Sequence, residues 1–113
     1  MSPPLPRTVH VGPMTYTVTT DKTDLLKATV DQRSPLFGWS CERTQVIGLD
    51  PNQADGSKRD TLLHECLHQI NVLTGLVVDW DREEEEKIVR RLTPALLDLL
   101  RRNPKLVAYL TAP

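Results

Sequence analysis

The 113-residue sequence contains only two cysteines, Cys41 and Cys66, which is too few for a disulfide framework. Free cysteines of this kind suit a reducing compartment, where they behave as small apolar residues. There is no basic excess either. Fourteen Lys and Arg face fifteen Asp and Glu, for a formal charge of −1. General nucleic-acid binding needs surplus cations to neutralise phosphates, so that class is excluded. The pairs Arg90-Arg91 and Arg101-Arg102 read as solvated helix faces. No apolar run approaches the roughly 20 residues of a membrane-spanning helix. The opening Met1-Ser2-Pro3-Pro4-Leu5-Pro6-Arg7 has no apolar core of a secretory signal. The expectation is a soluble, cytoplasmic protein with neither nucleic acid nor membrane as partner. At 39% hydrophobic and 26% charged residues, the chain is not a disordered tail. Its length matches one domain at about 150 residues each, so 1–113 is expected to form a single domain with an extended leader at 1–7.

Pattern sets the order of elements. Thr8-Val9-His10-Val11 and Thr15 to Thr20 alternate with β-branched residues around Gly12-Pro13-Met14, which predicts a hairpin or a bent strand pair. Asp21 to Val30 fits a short helix or a turn. Ser34 to Ser40 reads as a loop from its Pro, Gly and Ser content. Thr44 to Asp50 predicts a further strand, stopped by Pro51. A helix is expected from about Ser57, with Asp60 completing a shortened capping box. Leu62, Leu63, Cys66, Leu67, Ile70 and Leu73 give it helical periodicity, and Gly75 supplies its stop. Leu76-Val77-Val78 reads as extended. Asp81 and Glu84 then signal another N-terminus, for a helix striped by Ile88, Val89, Leu92, Leu96 and Leu99 and kinked at Pro94. Asn103-Pro104 ends it ahead of a short terminal helix through Leu110. Strands first and helices second predict an α+β fold.

One segment carries chemistry: His64-Glu65-Cys66-Leu67-His68, an H-E-x-x-H pattern inside the first long helix. Residues four apart lie one turn apart on the same face, so both imidazoles can address one Zn²⁺. Glu65, beside the first histidine, is placed to accept a proton from the attacking water rather than to ligate. Thr61-Leu62-Leu63, Cys66, Leu67, Gln69 and Ile70 are uncharged, which suits a helix buried behind a site. Cys66, about 200° round the helix from His64, is expected in the core.

A third ligand is needed. The metzincin extension would place Gly and His where Asn71 and Thr74 stand, so that subclass is excluded. His10 lies far upstream in a strand. The acidic run Glu83-Glu84-Glu85-Glu86 opens the next helix, and Glu85 alone has apolar residues at i+3, i+4 and i+7 (Ile88, Val89 and Leu92). Glu85 is therefore the expected ligand. Glu83, Glu84 and Glu86 are read as complementing the helix dipole. Tyr109, Tyr16 and His10 are candidate oxyanion donors, with none assigned. Phe37, Trp39 and Trp80 are candidates for lining a cleft or for packing, packing being the commoner role.

The His64-Glu65-Cys66-Leu67-His68 motif, together with Glu85-Glu86-Lys87-Ile88-Val89, resembles the small gluzincin-type zincins of bacteria and phages. The neighbourhood is that of the ImmA/IrrE-like and minigluzincin metallopeptidases. The likeness spans about half the chain, from Val46 to Leu100; no zinc-ribbon cysteines follow, unlike in SprT-type proteases. The resemblance implies a minimal zincin-like domain with antiparallel strands packed on the active-site helix. It also implies an edge strand above that helix, which Val46 to Asp50 can supply and which pairs with an extended protein or peptide substrate.

The expected function is that of a hydrolase, a zinc metalloprotease with His64, His68 and Glu85 as ligands and Glu65 as base. The alternative is a phage or bacterial interaction protein stabilised by zinc and without peptidase activity. A third reading is a metal-free helical module whose stripe from Ile88 to Leu99 meets another chain.

Overall fold

The computed structural model describes residues 3–21 and 37–113; the expectations for 22–30 and 34–36 fall outside them. Residues 3–6 have no regular structure and are exposed, as expected of a proline-rich leader. Strands β1 (Thr8–Val11) and β2 (Met14–Thr19) form the antiparallel hairpin. Val11 pairs with Met14 across a two-residue turn in which Gly12 takes φ +57°, a conformation open to glycine at low cost. A second antiparallel hairpin joins β3 (Gly38–Cys41) to β4 (Val46–Leu49). Helices α1 (Asp55–Thr74), α2 (Leu76–Asp79), α3 (Arg82–Arg102) and α4 (Pro104–Leu110) follow. The fold is a small α+β domain. Among the described residues, no helix is long and apolar enough to cross a membrane.

Two expectations about the sheet are corrected. Its order is β1-β2-β4-β3, with β2 and β4 parallel, so the sheet is mixed rather than antiparallel throughout. The strand expected at an edge, Val46–Leu49, lies inside the sheet. The edge nearest the helix is β3, in a stretch that reads as a loop. Gly38 and Ser40, the loop formers, are there for contact. A Cβ at Gly38 would collide with the Thr61 methyl, so glycine lets the strand approach α1 closely. Trp39 points to the opposite face and covers Gly48, its register partner, where a side chain would strike the indole.

Tyr16, Ile47 and Leu49 form the buried core, with Met14, Val18, Leu62 and Cys66 packed round it. Cys66 faces this core as expected. Helix α1 starts at Asp55, earlier than expected, and Ser57 does not cap it; the Ser57 hydroxyl donates instead to Gln53 Oε1 at 2.6 Å. Gly75 ends the helix at φ +79°. Leu76–Asp79 is a helical turn, not an extended segment. Helix α3 is assigned without a break through Pro94, whose missing N–H leaves the carbonyl of exposed Arg90 to water. Asp81 caps α3 by accepting from the Glu84 N–H at 2.8 Å. Asp81→Ala is expected to cost about 1 kcal/mol in urea denaturation, the usual worth of such a cap; an unchanged midpoint would show that the bond contributes nothing.

Candidate metal centre

Helix α1 reverses the ordinary division of residues. Its four buried residues, Thr61, Glu65, Gln69 and Asn71, are all polar, while Ile70, Val72 and Leu73 remain exposed. Burying polar side chains is costly unless each finds a partner, and here each does. Thr61 donates to Gln53 Oε1 at 3.0 Å. Tyr16 OH donates to Gln69 Oε1 at 2.9 Å, Gln69 Nε2 donates to Ser40 Oγ at 2.8 Å, and Ser40 Oγ donates to Glu65 Oε1 at 2.7 Å. A chain of donors thus ends on the Glu65 carboxylate. Burial pushes the Glu65 pKa up; the Ser40 hydroxyl and the two imidazoles act against it.

On the adjoining stripe of α1, facing α3, His64 and His68 stack edge to face with Nε2 atoms 3.0 Å apart. Glu86 bridges them. Its Oε1 lies 3.0 Å from His64 Nε2 and its Oε2 lies 2.9 Å from His68 Nε2. Glu85 takes the other side of His68, with Oε1 2.7 Å from Nδ1, and is itself held by Asn71 Nδ2 at 3.1 Å. In the metal-free protein Nε2 donates to Glu86; with a cation in place, a proton kept on Nδ1 by Glu85 would free Nε2 to ligate, the arrangement that fixes the tautomer of a metal-ligating histidine.

The atoms that could hold a cation are therefore those of His64, His68 and Glu86. Tetrahedral zinc with bonds of about 2.0–2.2 Å spaces its ligand atoms about 3.3 Å apart. The two Nε2 atoms are 3.0 Å apart and each has a Glu86 oxygen within 3.0 Å, close to that spacing, and two imidazoles with one carboxylate suit zinc.

No family model matches the chain, and no curated protein or solved structure does. What the site can do is argued from its own atoms.

The structure brings together His64, His68, Glu65 and Glu85, and it adds Glu86, whose carboxylate lies beside both histidine Nε2 atoms while that of Glu85 lies beside His68 Nδ1. From Glu86 the i+3, i+4 and i+7 positions are Val89, Arg90 and Thr93, two of them polar, so an apolar-stripe rule does not select it. Thr93 is fully buried, with its hydroxyl satisfied by the Val89 carbonyl at 2.6 Å, so a polar residue at i+7 does not keep Glu86 from the histidines; Glu85 is the more buried carboxylate, 12% exposed against 39% for Glu86. Leu92, the i+7 neighbour of Glu85, is 48% exposed. Of the candidate oxyanion donors, Tyr16 spends its hydroxyl on Gln69, His10 bonds Thr15 on the far hairpin at 3.0 Å, and Tyr109 is 81% exposed. Phe37 is exposed and Trp39 packs on Gly48. Burial pushes the Cys66 thiol up, away from the reactive thiolate. Ser40, Gln69 and Asn71 have no place in the sequence reading of the site, and Glu86 enters it only as complementing the helix dipole. The signal available was the polar stripe Thr61, Glu65, Gln69 itself, at four-residue spacing.

The same contacts set the pH response of the metal-free protein. Burial lowers the His68 pKa, but the carboxylates of Glu86 and Glu85 outweigh it and raise it from 6.5 to about 9. Hydrogen bonds from His64 and His68 hold Glu86 well below its ordinary 4.5. The histidine's contribution is complete below pH 6.5 and is lost as pH rises through about 9. The contribution of Glu86 is complete above pH 4.5 and is lost as pH falls below it. With chelator present, the Tm is expected to peak between those two values and decline towards pH 9.5; a Tm that climbs across that range contradicts the assignment.

Proposed function

We propose that the protein is a zinc-dependent peptide hydrolase in which His64, His68 and Glu86 hold the metal and Glu65 is the general base. The observation that carries this reading is the separation of duties around α1. Ligand atoms of His64, His68 and Glu86 lie within 4.8 Å of one another, while a buried carboxylate one residue from His64 stays out of that group, gripped by Ser40. A site that served stability alone has no use for that buried charge. Zinc, when bound, supplies Lewis-acid polarisation and brings the pKa of water towards 7.

The remaining work belongs to side chains. Ser40 fixes Glu65 Oε1, which leaves the second oxygen to take a proton from the attacking water and to return it to the leaving amine. Edge strand β3 carries Ser40, so a peptide extended along its outer side would run past Glu65 and offer its carbonyl there. Glu85 and Asn71 hold His68 in register.

A second reading has one observation in its favour. Only five hydrophobic residues among those described are buried, so a metal could serve chiefly to hold a small fold together. A peptide library incubated with zinc-loaded wild type and with Glu65→Gln separates the two. Cleavage by the wild type alone supports the hydrolase. One zinc per chain and no cleavage by either protein leaves the interaction protein.

A further inference from the structure

Only part of the apolar stripe on α3 from Ile88 to Leu99 is buried in the domain. Val89 is buried, whereas Leu92 and Leu99 remain 48% and 46% exposed and Ala95 is exposed between them. Leu92, Ala95 and Leu99 recur at three- and four-residue steps, so with Ile88 they form an apolar seam beside the face turned to α1. Pro94 lies off this seam. Along one flank of the seam, Glu84, Arg91, Asp98 and Arg102 recur at seven- and four-residue steps, all exposed.

We propose that this seam pairs with the same seam of a second copy of the chain, the two α3 helices running antiparallel about a two-fold axis. The helix's own sequence is what favours a second copy over another partner. An isologous contact must be self-complementary, and α3 is acidic at its start (Glu83 to Glu86) and basic at its end (Arg101 and Arg102). When Ile88 faces the partner's Leu99, Leu92 faces the partner's Ala95. In that same register Glu84 lies beside the partner's Arg102, and Arg91 lies near the partner's Asp98. Opposite charges flank the seam at both ends, and the helix dipoles oppose. Any other register sets unlike neighbours against the apolar residues or brings Glu84 level with uncharged ones. Arg102 already leans on Asp98 within its own chain at 3.8 Å, an exposed contact weak enough to be shared. A single helix pair lies at the small end of interface sizes, so the association is of micromolar strength. Nothing in it depends on the metal.

Sedimentation equilibrium of the full chain over about 1–500 µM tests this. The wild type is expected to approach a dimer at the upper end and Leu99→Asp to remain monomeric with an unchanged circular dichroism spectrum. Glu84→Arg and Arg102→Glu each place like charges across both symmetry-related contacts and are expected to weaken the dimer about 10-fold. The double variant restores opposite charges and is expected to recover most of the wild-type affinity, an outcome that loss of folding cannot mimic. A wild type monomeric throughout overturns the proposal, and so does a dimer indifferent to Leu99→Asp or to both charge reversals.

Discussion

Glu86→Gln is expected to lower zinc affinity by roughly 10³-fold, whereas Glu85→Gln lowers it only about 10–100-fold. The two residues are neighbours with the same side chain, so the contrast tests geometry rather than composition. Glu86 lies within 3.0 Å of both histidine Nε2 atoms, and an amide in its place offers zinc a neutral oxygen with little affinity. Glu85 touches only the Nδ1 side of His68, so its loss frees the ring to turn without removing a donor atom. Glu86 is 39% exposed, and its replacement leaves the α1–α3 contact through Val89 and Thr93 in place, so the variant folds. Competition against a chromophoric chelator gives both constants. Equal losses would mean that the two carboxylates share the metal, and a larger loss for Glu85→Gln would return the ligand role to that residue.

How much of this was legible in the sequence depends on which residues are considered. His64 and His68 stand at a spacing that any helix turns into one face, with Glu65 on the adjoining stripe, so periodicity alone places them together. The caps at Asp81 and Gly75 and the hairpin at Gly12 were equally legible, because each rests on local backbone chemistry. Long-range decisions were not. Glu85 looked the better ligand because apolar residues followed it, but Thr93 can be buried at almost no cost by bonding its own helix. With Thr93 buried, Glu86 reaches the Nε2 atoms of both histidines while Glu85 meets His68 from its Nδ1 side. Strand β3 was hidden for a related reason. Gly38 and Ser40 look like loop residues, and each answers to a neighbour across the fold, Gly38 to Thr61 and Ser40 to Glu65. The apolar periodicity of α1 also misled. The residues that best fitted a core stripe included Ile70 and Leu73, both exposed, because the inward side of that helix is given over to the polar groups of the site. Sequence rules assume that burial follows hydrophobicity, and a functional site is where that assumption fails.

Glu65→Gln is expected to leave zinc content unchanged and to lower turnover about 10²–10⁴-fold, the range for losing a general acid–base group. Glutamine matches glutamate in size, and its amide oxygen still accepts from Ser40, so the donor chain from Tyr16 through Gln69 survives. What disappears is the ability to take a proton. Stability should move the other way. Burial already pushes the Glu65 pKa up, which means that the folded protein holds this charge at a cost. Removing it is expected to raise the Tm of the metal-free protein, or at least not to lower it. A residue whose loss stabilises the fold while abolishing turnover is kept for chemistry rather than for structure. The opposite pair of results, a lower Tm with turnover intact, would make Glu65 a structural member of the Ser40–Gln69 network and would transfer the base role elsewhere. Both readouts come from the same purified variant, so the two accounts of this buried carboxylate cannot both survive the measurement.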